Sequence, residues 1–535
     1  MSDEFREILG GDIVTGDKKP DKPSLAIFRN IDAGLYLLNK HLHSGAKIAI
    51  HGDVDVDGIG STVIMTRFLE HHGIKNPVLL INKDKVHGIQ DKHVRFFQLK
   101  PVDLLIILDS SSNEIDLIKQ MNCDVLVIDH HEVLHNDLWG LNNDGNHLHV
   151  VINSVLDGLD RSKETDWIKQ CSKVKIDDSD LSRYGGSDNM SCGLVVYEFL
   201  RVYCTVFSDV KILENLMLYQ WSAVTLFTDA IDISGERNQW YISNTLGKFE
   251  IEPGLKVMMN NINRFKSVLS KSFISYSFAP LINKAIRAGA GSEALDICVN
   301  HPQDVLSLKK YEVIQQEAID KAIKPGEVFD RSFICKNITA LGVHKNYCGV
   351  IASKLVGSYN KNAAVYIKDG DFAVGSFRGR KRGVDYRGYF ERYKIYAQGH
   401  KEAFGFRLNE TLLFEIMGHL DNIEPEEESN NYISVGDVES SKVGEYHIDD
   451  FDYFKKQGNL WRLAVANSRT SSSKEISIVT SIKNVLLNRI EGKVYYYNVF
   501  GMTCKAFEEI KTSYVKIYVE YSNDIDFFIR NLPDK

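Results

Sequence analysis

The residues that most clearly suggest chemistry lie in the segment 51–61, which reads HGDVDVDGIGS. Asp53, Asp55 and Asp57 alternate with other residues just after the short apolar run 48–50. Alternate side chains of an extended chain point to the same side, so the three carboxylates would face one another. Bare carboxylates so placed repel, and a divalent cation with oxygen ligands relieves the repulsion. The segment therefore predicts a metal site.

An EF-hand calcium loop is one alternative, because that motif also opens with Asp-x-Asp-x-Asp-Gly. Its twelfth position carries a bidentate glutamate, whereas Ile64 stands there in this chain, and an apolar strand precedes the loop where a helix belongs. The EF-hand interpretation fails on both points. An acidic surface turn is the other alternative for this segment taken alone.

Three further groups of possible ligands follow apolar stretches. Asp109 follows the run 104–108, the sequence DHHE at 129–132 follows the run 125–128, and Asp229 follows a stretch that ends at 228. Each group alone has an ordinary structural explanation, such as a charge at the end of a strand or helix. Together they could surround two cations with mixed oxygen and nitrogen ligands, which suit manganese and also admit magnesium.

The pattern of the surrounding chain predicts how these groups meet. Short β-type runs at 48–50, 104–108 and 125–128 alternate with longer amphipathic stretches. This alternation is typical of βαβ units and predicts a parallel sheet. Each run ends in acidic residues or histidine, and an open α/β sheet binds ligands at the carboxyl ends of its strands. We therefore expect the active site at that edge.

The rest of the chain divides by composition. Residues 188–228 are predicted to be helical, and 292–323 carries apolar residues at helical spacing, interrupted by Pro302. Residues 333–406 return to mixed β and α character. A polar, acidic break at 424–431 is followed by a region rich in Val, Ile, Tyr and Phe. This composition predicts a linker and a mostly β terminal domain.

Length and composition exclude several classes of protein. The chain has 535 residues, 44% hydrophobic and 25% charged, which is typical of a folded protein of several domains. No apolar run approaches the roughly 18 residues of a membrane helix, and the first 20 residues lack an apolar signal core, so we expect a cytoplasmic protein without a membrane segment. The 8 cysteines include no CxxC pair, which argues against a zinc ribbon. The net charge of -8 argues against uniform coating of nucleic acid but permits a local basic groove.

The four groups of possible ligands resemble, in order, the four motifs of the DHH phosphoesterase superfamily. The first motif is most similar to the RecJ branch, which consists of single-strand-specific exonucleases. A second resemblance, to the DHH-associated domain, lies in GVIASKL at 349–355, GSFR at 375–378 and QGHKEAFGF at 398–406. RecJ-like proteins usually have GGH and AAG where this chain has QGH and AFG, so substrate handling could differ. The matches together cover about residues 45–410.

The resemblance implies an α/β fold of two lobes. The first is a DHH lobe with a mostly parallel doubly wound sheet, and a connecting helix leads to a smaller α/β DHH-associated lobe; the β-rich C-terminal domain completes the predicted architecture. The expected domains are an N-terminal extension, the DHH catalytic domain, the connecting helix, the substrate-binding DHH-associated domain and the C-terminal domain, at 1–30, 31–290, 291–325, 326–423 and 432–535.

The resemblance also implies roles for the metal ligands. Asp109 is expected to bridge two ions, with Asp55 on one of them. The implied ligands of the other are Asp57, His130 and Asp229. His51 or Asp53 is expected to complete the ligand set, and the sequence does not choose between them. Two metal ions about 4 Å apart would activate water and neutralise the charge of a phosphodiester.

Two residues beside these ligands have different expected roles. Asp129 is expected to orient a neighbouring imidazole. His131 is expected to contact the phosphate or assist the leaving group, and counts with the catalytic residues; a purely structural histidine is the alternative.

The second lobe is expected to hold substrate. Arg378 can bind phosphate with two hydrogen bonds, and His400 lies in a glycine-flanked turn that can approach a nucleic-acid backbone closely. Ser376 and Arg380 belong to the same expected substrate-binding set. The stretch 378–396 mixes arginines and lysines with tyrosines, as single-stranded nucleic acid requires. A solvated charged face, with the tyrosines in the core, is the alternative.

The resemblance thus implies a hydrolase, a manganese-dependent RecJ-like exonuclease that degrades single-stranded DNA to mononucleotides in DNA repair and recombination. The 5′ to 3′ direction and a single-strand-binding protein as partner come from the resemblance alone. Two alternatives stay open. One is a DHH-family oligoribonuclease or a phosphodiesterase or phosphatase for small nucleotides, including cyclic dinucleotides; the other is an inactive DHH-type scaffold that binds nucleic acid.

Overall fold

The computed structural model describes the residues of the following ranges: 22–133, 142–143, 147–156, 181–183, 190–208, 211–229, 231, 233, 235–262, 269–324, 326–381, 384–395, 397–420, 432–433, 445–447, 477–481, 485–491, 494–499, 502–506, 509–511, 514–521 and 525–531.

A mostly parallel sheet forms the centre of the first lobe, as predicted. Its strands are β2 (Ile48–Gly52), β3 (Val78–Ile81), β4 (Leu104–Leu108), β5 (Asp124–Asp129), β6 (Asn142–Asn143) and β7 (Leu148–Asn153). Their spatial order is β3-β2-β4-β5-β7-β6, and only the edge strand β6 runs antiparallel to its neighbour within this sheet. A separate pair of short strands, β1 (Leu25–Ile27) and β8 (Leu181–Arg183), is also parallel.

Helices cover both faces of this sheet. Alternate residues of β4 separate into two cores, with Ile106 on one side and Leu105 and Ile107 on the other. The first core contains residues of α1 (Ile31–Leu42), α2 (Val56–His71) and α5 (Cys192–Phe207). The second contains residues of α3 (Asp91–Leu99) and α4 (Ile115–Ile118). The sheet is therefore doubly wound, as predicted.

The remaining helices of the first lobe follow α5. They are α6 (Lys211–Asn215), α7 (Tyr219–Leu226), α8 (Glu236–Thr245), α9 (Pro253–Ile262), α10 (Lys271–Phe273), a π-helical turn (Ile274–Phe278), α11 (Ala279–Arg287) and α12 (Gly291–Val299). The helices α5 to α7 confirm the helical prediction for residues 188–228. None of the helices in the described ranges is long and apolar enough to cross a membrane.

Residues 291–322 are helical in three segments. After α12, a 3₁₀ helix (Pro302–Lys309) leads directly into α13 (Lys310–Ala322). Pro302 has no backbone N–H to continue a helix and occupies the first position of the new segment, which explains the interruption.

A second sheet forms the smaller lobe. Its strands are β9 (Phe333–Asn337), β10 (Asn362–Asp369), β11 (Phe372–Arg378), β12 (Ala397–His400) and β13 (Ala403–Asn409), in the order β12-β13-β11-β10-β9. The helical segments are two 3₁₀ turns (Thr339–Leu341 and Lys345–Tyr347), α14 (Cys348–Tyr359), α15 (Tyr386–Glu391) and α16 (Glu410–His419). This mixed composition confirms a second α/β lobe.

The C-terminal region contains an eight-stranded sheet, in agreement with the predicted β character. The strands are β14 (Tyr432–Ile433), β15 (Glu445–His447), β16 (Ser477–Ser481), β17 (Val485–Glu491), β18 (Val494–Val499), β19 (Met502–Ala506), β20 (Tyr514–Tyr521) and β21 (Ile525–Asn531). Their order is β14-β15-β16-β20-β21-β19-β18-β17.

Candidate metal centre

The parallel sheet brings the predicted ligands to one edge. Gly52 is in register with Leu108 and Leu108 with Ile128, so the residues that follow these positions leave the sheet side by side. Asp53, Asp109 and Asp129 occupy this level. The alternation of strands and helices in the sequence predicts this convergence, since parallel strands share a carboxyl edge.

Within the described residues, three groups of side chains at this edge could each hold a cation. In each group the potential ligand atoms lie within 4.8 Å of one another. The groups are Asp53, Asp55 and Asp109; Asp57, His130 and Asp229; and Asp109, His130 and His131. Asp109 and His130 each belong to two groups, so neighbouring sites would share them. His51 is the one expected ligand that none of these groups includes.

His130 lies at the centre of the second group. Its Nε2 atom is 3.2 Å from Oδ1 of Asp109, 3.4 Å from Oδ2 of Asp229 and 3.8 Å from Oδ2 of Asp57. Burial and then the charge of His131 lower the pKa of His130, which favours the neutral imidazole that a metal requires.

Asp57 is held by the first turn of α5. The backbone N–H groups of Cys192 and Gly193 donate hydrogen bonds of 2.7 and 2.8 Å to its two oxygens. Burial and then the charges of Asp229 and Asp55 nevertheless raise the pKa of Asp57 well above its usual value. A cation between these carboxylates would reverse that effect, because it favours the ionised form.

Asp109 provides a test of whether a cation fits. Its side chain is buried, and the described part of the chain places no donor in hydrogen-bonding geometry with either oxygen. Burial, followed by the charges of Asp57 and Asp55, raises its pKa well above the usual value. Buried carboxylate oxygens normally have a partner. Two buried oxygens without a hydrogen-bond donor among the described residues, one of them 3.2 Å from Nε2 of His130, match what a metal ligand requires.

Asp55 caps the helix α2. Its Oδ1 atom accepts a hydrogen bond of 2.9 Å from the N–H of Gly58. Burial would raise the pKa of Asp55, but this hydrogen bond and the charge of His87 lower it. A side chain at Gly58 would bring its Cβ within 2.5 Å of the Asp53 carbonyl oxygen, so glycine is required where the chain turns into the helix.

Asp129 supports the two histidines that follow it. Its Oδ1 atom accepts from Nδ1 of His131 at 2.8 Å and from the N–H of His130 at 2.7 Å, while Oδ2 accepts from the N–H of Ser112 at 3.1 Å. Burial lowers and Asp129 raises the pKa of His131, with a net rise to about 10. The contact between Asp129 and a neighbouring imidazole is the one that the sequence predicts.

His51 and Asp53, which the sequence leaves as alternatives, lie in different surroundings. His51 is fully buried, its ring packs edge-on against His93 at 4.7 Å, and burial followed by the charge of His93 lowers its pKa to about 3. Asp53 lies instead among the carboxylates of the first group. Both ring nitrogens of His51 are buried without a hydrogen-bond partner among the described residues, so the choice between His51 and Asp53 stays a prediction.

Comparisons with known proteins find a family model, a named relative and solved structures of similar fold. The family model described as "DHH family, N-terminal domain" matches residues 47–143. A protein of Bacillus subtilis (strain 168), named as an SPbeta prophage-derived single-strand DNA-specific exonuclease, is 23% identical over 432 residues. The match covers 71% of this chain and 66% of the relative, so the chain spans just under two thirds of that relative's length.

Solved structures extend the likeness beyond the first lobe. RecJ from Thermus thermophilus in complex with Mn²⁺ superposes with a TM-score of 0.66 at 15% identity, covering 97% of this chain and 73% of RecJ. The Mg²⁺ complex of RecJ from the same organism gives a TM-score of 0.58 at 14% identity, covering 98% and 73%. The chain therefore has the fold of RecJ, and its residues 47–143 match the DHH family model. The bilobal DHH fold implied by the sequence motifs is thereby confirmed.

Three of the expected substrate residues of the second lobe, Ser376, Arg378 and Arg380, lie on or just after β11. Arg378 Nη1 donates to Ser376 Oγ at 3.0 Å and to the Phe377 carbonyl oxygen at 2.7 Å. A Cβ at Gly349 would lie 2.8 Å from Arg378 Nη2, so the glycine of α14 leaves room for the guanidinium. The Arg380 N–H donates to Asn362 Oδ1 at 2.8 Å. His400 ends β12, and its side chain lies outside the described part.

The aromatic residues of the stretch 378–396 are divided between two roles. Tyr386 and Phe390 are fully buried in the core of the second lobe, so the interpretation of these two rings as base-stacking residues is wrong. Tyr389 and Tyr393 pack at the border of that core, with hydroxyl groups 3.5 Å apart. Tyr396 lies outside the described residues. The helical spacing of the aromatic residues is the signal for the core role.

Sequence reasoning missed several residues that border the site. Lys85 and His87 lie in the loop after β3, Arg287 ends α11, and Cys192 and Gly193 begin α5. For Lys85 and His87 a signal exists, because this loop follows the carboxyl end of a strand in the same parallel sheet. The sequence contains no comparable signal for the other three, whose contacts depend on how distant helices pack.

Proposed function

We propose that this protein is a RecJ-like exonuclease that degrades single-stranded DNA from 5′ to 3′ into mononucleotides by two-metal hydrolysis. The convergence of carboxylates and one imidazole at the carboxyl edge of the parallel sheet carries this proposal. The RecJ-like fold and the relative named as a single-strand DNA-specific exonuclease support the choice of reaction and substrate.

The proposed ligand sets follow the groups of side chains. Asp53, Asp55 and Asp109 would hold one ion, and Asp57, His130 and Asp229 would hold the other with Asp109 between them. Mixed carboxylate and imidazole ligands suit Mn²⁺, and the carboxylates also admit Mg²⁺. The RecJ structures from Thermus thermophilus with Mn²⁺ and with Mg²⁺ support the same pair of candidates.

The ions, when bound, would supply Lewis acidity and lower the pKa of a water molecule near the phosphate. The chain would supply orientation and protons. His131 is 47% exposed, whereas His130 is only 10% exposed, so His131 is the histidine that substrate can reach. Its Nδ1 is fixed by Asp129, which leaves the opposite edge of the ring for a phosphate oxygen or a leaving oxygen.

A group of cations next to the carboxylates supports a phosphate substrate. Lys85, Arg287 and Arg378 influence one another: the pKa of Arg378 is lowered to about 10 by burial and then by the charge of Arg287. The pKa of Lys85 is lowered by loss of hydration, then by Arg287, while Asp55 opposes the shift. Cations gathered in this way are stabilised by an anion. We propose that they hold a substrate phosphate next to the metal ions.

The two lobes meet near this group. Asn346 Nδ2 donates to the Arg287 carbonyl oxygen at 3.2 Å, and His344 Nε2 lies 3.8 Å from Asp84 Oδ1. Substrate held by Arg378 of the second lobe would therefore reach the ligands of the first. A role in DNA repair and recombination and a single-strand-binding partner remain predictions from the resemblance, and a cytoplasmic location remains a prediction from the sequence.

The test is a hydrolysis assay with Mn²⁺ on long single-stranded DNA labelled at either end, its duplex, a matched RNA and a dinucleotide. We expect mononucleotides from the 5′ end of the single-stranded DNA alone, and no product with Asp109→Ala. Cleavage confined to the dinucleotide would replace this proposal with turnover of small oligonucleotides. Release from the 3′ end would contradict the proposed direction.

A further inference from the structure

The loop after β3, residues 82–90, has a fixed conformation beside the metal centre. Asn82 Nδ2 donates to the carbonyl oxygens of Val86 and Gly88, at 2.8 and 2.7 Å. The Ile89 N–H donates to Ser111 Oγ at 2.9 Å. Because Ser111 follows Asp109 by two residues, these bonds fix the loop relative to the proposed bridging ligand.

This loop presents two donors to Asp53. His87 Nδ1 lies 2.5 Å from Oδ2 of Asp53, and the Gly88 N–H donates to Oδ1 at 3.2 Å. An ionised carboxylate only accepts hydrogen bonds, so Nδ1 of His87 is the donor. Asp53 is fully buried, and His87 is 34% exposed. The hydrogen-bond donor to Oδ2 of Asp53 thus belongs to a partly exposed side chain.

The backbone conformation at Gly88 is compatible with this arrangement. Gly88 has a φ of 72°, a conformation that favours glycine, and a Cβ there would meet Ser111 Oγ at 3.1 Å. The glycine lets the loop pass close to Ser111 and turn its N–H, together with the preceding imidazole, toward Asp53.

The contact has a consequence for metal binding. Asp53, Asp55 and Asp109 bring oxygens within 4.8 Å of one another, and their like charges oppose that approach when no cation is bound. A hydrogen bond to each oxygen of Asp53 fixes the rotation of its carboxylate, and each oxygen retains a lone pair for an ion. Partners of this kind orient metal ligands and raise affinity.

We propose that His87 is a positioning residue that orients Asp53 and thereby strengthens binding of the ion held by Asp53, Asp55 and Asp109. The inference rests on the proposed metal centre, and it concerns a residue outside the expected ligand set. It makes no use of the charge of His87, only of the donor at Nδ1.

Mn²⁺ binding to the full-length protein without DNA tests the proposal, measured by calorimetry and by the electron paramagnetic resonance of free Mn²⁺. In His87→Leu we expect one of two ions to bind about 10–100-fold more weakly, as for other residues that support metal ligands. In His87→Asn, whose amide nitrogen occupies nearly the position of Nδ1, we expect most of the affinity to return. His301→Asn, at an exposed histidine paired with Asp296, should bind as the wild type does.

Four outcomes separate the possibilities. Wild-type affinity in His87→Leu would overturn the proposal, and so would a His87→Asn variant as weak as His87→Leu. A raised KM for DNA with intact Mn²⁺ binding would also overturn it, because His87 would then contact substrate. The predicted pattern in a protein that hydrolyses no DNA would uphold the role of His87 and refute the proposed nuclease function.

Discussion

The backbone N–H of Gly193 donates a hydrogen bond of 2.8 Å to Oδ1 of Asp57, a residue 136 positions earlier in the chain. The bond places the N-terminus of α5 against a proposed metal ligand of α2. Helix N-termini favour negative charge, so this contact partly offsets the repulsion among the carboxylates. It also makes the position of Asp57 depend on the packing of two helices.

Gly193→Ala should displace that contact. A Cβ at this position would lie 2.5 Å from Oγ1 and 2.7 Å from Cγ2 of Thr225, a buried residue whose hydroxyl already bonds to Ser191 and Ser222. Since neither the new methyl group nor the Thr225 side chain can move easily, we expect a loss of about 1–3 kcal/mol in the free energy of unfolding. We also expect Mn²⁺ binding to weaken by about tenfold, measured by calorimetry.

Gly357→Ala is the matched control for that variant. Gly357 lies inside α14, and nothing stands within 4 Å of the Cβ that alanine would add. Alanine in an open helical position should stabilise by about 0.5–1 kcal/mol. If both substitutions changed the free energy of unfolding and the Mn²⁺ affinity equally, the effect of Gly193→Ala would not come from the contact with Thr225.

The convergence of three carboxylates could be predicted from the sequence because its geometry follows from one repeated rule. Asp53, Asp109 and Asp129 each follow a parallel strand, and strands in register place such residues side by side. The same rule says nothing about Gly193, and for His87 it places only the loop at this edge, not the contact with Asp53. Their contacts with Asp57 and Asp53 cross 136 and 34 positions and depend on how helices and a loop pack.

The second lobe shows where composition is a weaker guide. Tyr386 and Phe390 stand among basic residues in the sequence, yet both side chains are buried in the core. Charge and aromaticity describe a surface only if the rings point outward, and the helical spacing of these residues turns them inward. The eight strands of the C-terminal sheet follow from β-type composition, but their order depends on pairings between distant segments.

Asp109→Asn should abolish hydrolysis and raise the stability of the metal-free protein. The variant removes one of several buried like charges. In the metal-free protein no bound ion relieves the repulsion among these charges. In a chelator we expect the variant to have a higher Tm than the wild type, and we expect its Tm to rise little when Mn²⁺ is added. We expect its activity to fall by more than about 100-fold, which is more than the loss typical of residues that only support metal ligands. Thermal scans with and without Mn²⁺ provide the measurement.

Asp116→Asn serves as the control, because Asp116 is an exposed acid in α4. It should leave the activity and both melting temperatures unchanged. If Asp109→Asn instead melted below wild type in the chelator, the carboxylate would be a structural group with a favourable partner, and the proposed bridging role would be lost.

Arg378→Lys should weaken substrate binding and leave metal binding intact. Lysine keeps the charge but loses the planar pair of donors that matches a phosphate. We expect KM for single-stranded DNA to rise about tenfold, equivalent to about 1.4 kcal/mol, with kcat and Mn²⁺ affinity close to wild type. Steady-state kinetics on an end-labelled oligonucleotide measure both constants.

Arg407→Lys is the comparison for Arg378→Lys. Arg407 is an exposed arginine in the same sheet that pairs with Asp369 and lies over the ring of Phe372, away from the cation group. The KM of Arg407→Lys for single-stranded DNA should equal that of the wild type. A loss of Mn²⁺ binding in Arg378→Lys would mean that the second lobe contributes to the metal centre, which contradicts the division of roles proposed for the two lobes.

Glu198 should control the acid stability of the first lobe at a distance from the metal ligands. The side chain is fully buried, and it accepts hydrogen bonds from Arg201 at 2.9 Å, Arg237 at 2.7 Å and Tyr241 at 2.7 Å. Burial would raise the pKa of Glu198, but the charges of Arg201 and then Arg237 hold it below the usual value. The same arginines bond to the carbonyl oxygens of Pro23 and Ser24, so this network anchors β1.

The sign of the pH effect follows from that lowered pKa. A carboxyl group with a lower pKa in the folded state stabilises the fold above its unfolded pKa, and the contribution disappears as the pH falls through the folded value. In Glu198→Gln we therefore expect a loss of about 3–5 kcal/mol near pH 7, because two buried arginines lose their partner. We also expect a flatter decline in stability below about pH 5 than in wild type.

Urea unfolding followed by tryptophan fluorescence across this pH range measures both effects. The control is Glu214→Gln, at a glutamate that forms an exposed ion pair with Lys22, and it should change neither the stability near pH 7 nor the acid slope. An equal acid slope in Glu198→Gln and wild type would place the acid-sensitive group elsewhere, since the ionised form of Glu198 would then contribute nothing to the folded state.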